Sequence, residues 1–200
     1  MGGERIDRSG KLAAVHARTV AELSDLVASG ERVKFLHFWG HKPQRDGSIG
    51  AGCLSQWWHA PFTVGGREFA TAEHYMMWSK ATLFGDTDVA EQVLTASHPH
   101  RAKTLGRQVR GFDQAVWEAR RYAIVVTGSV AKFGHHADLR SYLLGTGDRI
   151  LVEASPVDRI WGIGLAADDP RAGDPAQWQG KNLLGLALMD ARDQLRQDSQ

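Results

Sequence analysis

Four short stretches of this sequence set carboxylate, imidazole or ammonium groups among aromatic rings: His37–His41, Ser55–His59, Glu73–Lys80 and Asp158–Gly164. A flat heteroaromatic ring gains about 1–3 kcal/mol by stacking on an aromatic side chain, so aromatics beside acids suggest a pocket for a base-like ring. Seven tryptophans supply the stacking surface. Taken singly, a tryptophan reads first as core, because large aromatics dominate interiors; only the polar company changes that reading.

Glu73 and Asp158 are the acids that such a pocket could use. Cleaving a bond between ribose and a base nitrogen develops positive charge on the anomeric carbon, and a carboxylate can stabilise that charge or deprotonate the attacking water. General acid–base help of this kind contributes about 10²–10⁴-fold in rate. A glutamate in a first helical turn is also the ordinary partner of the helix dipole, and that alternative stands beside the chemical one. Asp158 precedes Trp161 and the glycines Gly162 and Gly164, which would let backbone approach a phosphate or ribose closely. Its alternative is a turn aspartate whose side chain bonds nearby amides.

Other chemistries lack their signatures. Nine histidines include no His-Glu-x-x-His, and the lone Cys53 excludes a Cys-x-x-Cys, so no metal is expected. Nothing marks Cys53 as an activated nucleophile. Neither a phosphate-cradling Gly-x-x-x-x-Gly-Lys-Ser/Thr nor a Gly-x-Gly-x-x-Gly after a strand is present, and no cofactor is expected.

The elements that must position these groups can be read from local signals. Thr19 and Glu22 form a capping-box pattern ahead of Leu23, Leu26 and Val27, and Gly30 stops that helix. Val33–Trp39 is rich in strand formers, and a turn-like tract from Gly40 to Gly52 follows. Phe62-Thr63-Val64, Gly65-Gly66 and Arg67-Glu68-Phe69 predict a hairpin. Thr71 caps a helix that places Glu73 in its positive first turn. Pro99 opens a helix towards Val109, and Asp113 caps a long one over Gln114–Phe133. Arg149–Ala154 predicts a strand, Ser155–Gly180 a loop and Asn182–Leu195 a last amphipathic helix. Met1–Lys11 and the tail from Arg196 read as loose ends. The sum is α+β: a mainly helical single domain with a small, partly antiparallel sheet.

Length and composition agree with one domain. The 200 residues can bury a substantial core, and 42% hydrophobic residues with 24 Lys+Arg against 23 Asp+Glu are globular values with almost no net charge. That balance advertises neither nucleic-acid nor membrane binding, although Arg101, Lys103, Arg107 and Arg110 would form either a local basic groove or a solvated helix face. No targeting segment is visible, and Tyr122–Val126, the most apolar stretch, is far shorter than the roughly 20 residues that span a bilayer. A single cysteine fits a reducing compartment, so a cytoplasmic protein without a membrane partner is expected. Nothing in the sequence sets an oligomeric state.

Several segments together carry a family resemblance. They are Phe38-Trp39-Gly40; Leu54-Ser55-Gln56-Trp57; Pro61-Phe62 with Gly66; Thr71-Ala72-Glu73-His74-Tyr75; Lys80; Leu105-Gly106-Arg107; Trp117; Lys132-Phe133; Asp158 with Trp161-Gly162; and Gly180-Lys181-Asn182-Leu183-Leu184-Gly185. In order and spacing, from about Lys34 to Arg196, the chain resembles the NADAR superfamily, which includes the YbiA-like riboflavin-intermediate N-glycosidases and ADP-ribosyl-guanine glycosidases. The resemblance implies residues 1–30 as arm and short helix and residues 31–197 as a catalytic domain of that fold. It implies hydrolysis of an N-glycosidic bond in a phosphorylated riboside: ADP-ribose on guanine in nucleic acid, or a phosphoribosylated pyrimidine intermediate of riboflavin synthesis. A module that binds ADP-ribose or NAD without turnover is the further alternative.

Residue by residue, the family's catalytic glutamate falls on Glu73, its functional aspartate on Asp158 and its important tryptophans on Trp117 and Trp161. Lys80 matches a family lysine and is expected to bind phosphate or ribose or to act covalently. The base-like ring is expected on Trp39 or Trp161 and the phosphate on Arg107 and Lys181, with Ser55, Gln56, Trp57, His74, Tyr75, Gly162 and Asn182 as further substrate contacts. Two departures stand out. Met76-Met77-Trp78-Ser79-Lys80-Ala81 replaces the frequent Phe-Gln-x-x-Lys-Phe, and Ser55-Gln56-Trp57 replaces the Ser-Asn-Phe of the YbiA-like branch, which favours a branch other than the riboflavin one.

Overall fold

The helix that carries Glu73 starts where the sequence says it should. In the computed structural model, which describes residues 17–198, Thr71 is the extended N-cap of α2 (Ala72–Leu83) and its hydroxyl accepts from the His74 amide. The same logic sets α1 (Val20–Ala28), where Thr19 and Glu22 complete a reciprocal capping box. The arm expected over Met1–Lys11 lies outside the described residues.

The described elements fall into two compact units whose segments alternate along the chain. One unit is built from the chain up to Trp39 and from Gly145–Met189. Here β1 (Phe35–Phe38) pairs in parallel with β4 (Ile150–Glu153), in the register Phe35↔Ile150 to Phe38↔Glu153. The far edge of β4 is closed by a side chain: Asn182 donates to the Leu151 carbonyl at 2.9 Å and accepts from the Glu153 amide at 3.0 Å. Asn182 sits at φ 50, a left-handed conformation that asparagine tolerates, at the entry of α7 (Leu183–Gln197). Gly185 lies one turn further on, and a Cβ there would land on the Leu151 carbonyl oxygen. Residues 180–185 of the quoted motif are thus a close-packing device.

The other unit comprises Gly40–Leu144 with the chain from Asp190 on. β2 (Phe62–Val64) and β3 (Arg67–Phe69) form an antiparallel hairpin, and Gly65 and Gly66, at φ 57 and 77, supply the positive angles of its tight turn. α2 packs against α3 (Thr87–Leu94), α4 (Pro99–Gly106) and α5 (Gln114–His135); α6 is Ala137–Gly145. Phe62, Phe69, Ala72 and Tyr75 form a core patch flanked by Val64, Trp78, Leu94, Ile124 and Ala131. Two glycines let neighbours close on α2: a Cβ on Gly128 of α5 would stand 2.5 Å from the Tyr75 ring, and one on Gly106 of α4 would overlap the Met77 sulfur. Glu73 therefore sits on a helix gripped from two sides.

The α+β class holds, with three differences in detail. The strands form two separate two-stranded sheets, one parallel and one antiparallel. α3, capped by Asp86, and α6 are short helices absent from the sequence reading. α4 ends at Gly106 rather than near Val109, and α7 continues through Arg196 and Gln197, where a loose tail was expected. No helix among the described residues is long and apolar enough to cross a membrane.

Candidate active site

The cap of α2 extends into a chain of side-chain bonds. The Thr71 hydroxyl meets His74 Nδ1 at 2.8 Å, and His74 Nε2 meets the Ala96 carbonyl at 3.0 Å. A carbonyl can only accept, so Nε2 carries the proton, Nδ1 offers its lone pair, and the Thr71 hydroxyl donates to it. Burial pushes the His74 pKa below the ordinary imidazole value, in keeping with a neutral ring. With 1% of its surface exposed and both nitrogens occupied, His74 fixes the start of α2. Tyr75 likewise turns inward, edge-on to Phe69 at 5.1 Å.

Glu73 lies between these two, 3% exposed. Its amide donates to the Gln56 carbonyl at 3.0 Å, and its Oε2 accepts from the Trp57 indole N–H at 3.2 Å. The loop that supplies both partners is itself anchored. Ser55 Oγ accepts from the Trp57 amide at 3.1 Å, and the carbonyls of Cys53 and Ser55 accept from Lys132 Nζ at 2.7 and 2.9 Å. Lys132 is fully buried, and burial lowers its pKa to about 7. Burial also pushes the Cys53 thiol up to about 12, which leaves it protonated and inert. Sequence reasoning quoted Lys132 but gave it no task; a lysine in the middle of an amphipathic helix carries no local sign that its ammonium turns inward.

Trp57 is a hub. Half-buried, it bridges the hidden carboxylate to exposed basic groups: His41 at 5.7 Å, His98 at 6.0 Å and His100 at 6.3 Å between ring centroids, with Lys103 Nζ 5.9 Å from the ring centre. Lys103 thus belongs to this cluster. Arg110, expected in the same basic groove, is instead tied to Asp86 at 2.6 Å and Asp88 at 2.7 Å.

Lys80, two turns after Glu73, belongs to a second cluster. Its Nζ donates to the Gly106 carbonyl at 2.7 Å and lies over Phe112 at 4.2 Å and Trp117 at 5.6 Å. Burial lowers its pKa. Arg107 follows Gly106 as the exposed C-cap of α4, and Trp117 is buried.

The remaining candidates gather in the unit that holds the parallel strands. Asp158 Oδ1 accepts from the amides of Ile160 and Trp161, both at 2.8 Å, so the turn reading of this aspartate is realised at that oxygen. Its carbonyl accepts from Gly164 at 3.1 Å. At Gly162 the closely approaching backbone is the chain's own: a Cβ would stand 2.8 Å from the Glu153 carbonyl and 3.0 Å from that of Asp158. Trp161 is half-buried, Lys181 is exposed, and Trp39 is 61% exposed at the end of β1. Among the described residues no group of three His, Cys, Asp or Glu could hold a metal ion.

Comparison with known proteins places this arrangement. The chain is 40% identical over 172 residues to N-glycosidase R617 of Acanthamoeba polyphaga mimivirus, covering 84% of this chain and 99% of that one. It is 33% identical over 135 residues to N-glycosidase YbiA of Escherichia coli, covering 68% and 76% of the two chains. The NMR structure of E. coli YbiA superposes with a TM-score of 0.66 at 28% identity, over 84% of this chain and 88% of that one. The family model for the NADAR domain matches residues 37–196, a stretch that holds Glu73, the Trp57 loop and the Asp158 turn, and the chain belongs to the NADAR domain family.

Proposed function

We propose that this chain hydrolyses the N-glycosidic bond of a phosphorylated riboside, with ADP-ribose on guanine in nucleic acid as the riboside and Glu73 as the carboxylate that does the work. The chain is a hydrolase of N-glycosyl bonds, like the relatives that carry that name. The observation that carries the assignment to Glu73 is its pairing with Trp57: a buried carboxylate in the positive first turn of α2, one oxygen held at 3.2 Å by an indole N–H. A carboxylate oriented and shielded in this way acts strongly on positive charge developing close to it.

In the step we infer, water adds to the anomeric carbon as the bond from that carbon to the base nitrogen breaks. Glu73 stabilises the transient positive charge and takes a proton from the water, and the leaving nitrogen gains one. Trp57 orients the carboxylate, and Lys132, by holding the Cys53 and Ser55 carbonyls, orients Trp57. Asp158 is a positioning residue for the turn that bears Trp161, since its Oδ1 is bound to two amides there.

The test is incubation with an oligonucleotide bearing ADP-ribosyl-guanine and, separately, with a phosphoribosylated aminopyrimidine. Release of ADP-ribose from the first supports the proposal. Turnover of the second alone moves the substrate to riboflavin intermediates, and binding of ADP-ribose with no turnover of either contradicts an enzyme.

A further inference from the structure

Trp57 does more than hold Glu73: its ring gathers basic groups that hydrolysis at the anomeric carbon does not use. His98 and His100 stand edge-on to the indole, at 87° and 81°, and the Lys103 ammonium lies 5.9 Å from the ring centre. All three come from one turn and a half of chain at the start of α4, whose first turn carries no acid. Three cationic or proton-donating groups in the positive field of a helix N-terminus repel one another unless an anion sits among them.

The hydrogen bonds at this turn also fix what His98 offers. Its Nδ1 accepts from the His100 amide at 3.1 Å, so even as a neutral ring its Nε2 carries a proton available to an acceptor outside. The helix's own first amides are already engaged, Arg101 and Ala102 both with the His98 carbonyl at 2.9 and 3.2 Å. An anion here would therefore be held by side chains rather than by backbone.

The indole measures the separation between the two functions. Its N–H is on Glu73, while its ring contacts the two imidazoles at centroid distances of 6.0 and 6.3 Å. We propose that His98, His100 and Lys103 form the subsite for the phosphate attached to the ribose of the substrate, with Trp57 as the spacer that sets this phosphate a fixed distance from Glu73. This inference rests on the glycosidase reading for the identity of the ligand, and it moves the phosphate contact from Arg107 to the face of Trp57.

Calorimetry of the full chain with ribose 5-phosphate and with ribose tests it without requiring turnover. The wild type should prefer ribose 5-phosphate. The variant H98N/H100Q/K103M keeps a capping side chain at position 98 and should bind ribose 5-phosphate about ten- to a hundred-fold more weakly, with an unchanged melting temperature. Binding within twofold of wild type overturns the proposal, as does a wild type that treats the two sugars alike. Unmodified single-stranded DNA is the second arm: loss of strand binding with ribose 5-phosphate binding intact would assign these side chains to a backbone phosphate and overturn the subsite. A wild type that binds ribose 5-phosphate through these residues but hydrolyses neither riboside would sink the glycosidase reading alone.

Discussion

The indole N–H of Trp57 donates to Oε2 of Glu73 at 3.2 Å, which ties a surface-reaching ring to a carboxylate with 3% of its surface exposed. Trp57→Phe keeps an aromatic ring and removes the donor. A hydrogen bond to a charged group contributes about 1.5–3 kcal/mol, so kcat should fall about ten- to a hundred-fold. Steady-state kinetics on the ADP-ribosyl-guanine oligonucleotide read this directly, and a kcat within twofold of wild type would remove Trp57 from the orienting role.

The grip on α2 predicts opposite signs for one substitution at two places on α5. Gly128→Ala puts a methyl 2.5 Å from the Tyr75 ring and should destabilise by about 1–3 kcal/mol. Gly134→Ala meets only Leu195 at an ordinary 3.6 Å and should stabilise by about 0.5–1 kcal/mol, because alanine restricts the unfolded chain. Denaturant melts of the two variants decide it, and equal effects would contradict the packing described.

Lys132 predicts a particular pH dependence of stability. Its folded pKa of about 7 lies below the 10.5 of an ordinary lysine, so between those values the unfolded chain binds a proton that the folded chain has lost. Stability therefore rises with pH across that window. The groups that share its surroundings are Cys53, whose raised pKa works in the opposite direction only above its ordinary 9.0, and Asp138. Between pH 7 and 9 the wild type should gain roughly 1–2 kcal/mol relative to Lys132→Met. Parallel urea-melt profiles for the two proteins would contradict a buried, proton-losing ammonium.

Asp86 gives the acid-side counterpart. The Arg110 guanidinium and amide hold this carboxyl well below the usual carboxylate range, and its Oδ1 also caps α3 through the Val89 amide. Its contribution is present above the ordinary 3.8 and disappears as pH falls through the lower folded value. Asp86→Asn should lower the melting temperature at pH 7, with a gap to wild type that narrows at pH 2–3; thermal melts at the two pH values check it.

Much of this architecture was legible because its signals are local. Thr19 with Glu22, Thr71, Asp113 and the Gly65-Gly66 pair each act within four residues, and each stands where the sequence reading put it. α3 and α6 escaped because they run only eight and nine residues, too short for periodicity to separate them from loop. The split into two sheets escaped because β1 meets β4 from the other end of the chain, and no neighbouring residue encodes that partnership. At the candidate site, Glu73 and Trp57 were chosen for their chemistry, but their hydrogen bond depends on how the loop after Leu54 lies across the start of α2. The direction of a side chain, as at Lys132, His74 or Asn182, is likewise set by tertiary neighbours that a linear reading does not see.

The central claim is that Glu73 is the group that acts at the anomeric carbon. Glu73→Gln preserves size and leaves an amide oxygen to accept from Trp57, so the fold should survive with its melting temperature within a few degrees of wild type. Single-turnover release of ADP-ribose from the guanine oligonucleotide should slow by about 10²–10⁴-fold. A folded Glu73→Gln protein that releases ADP-ribose at the wild-type rate would contradict the account.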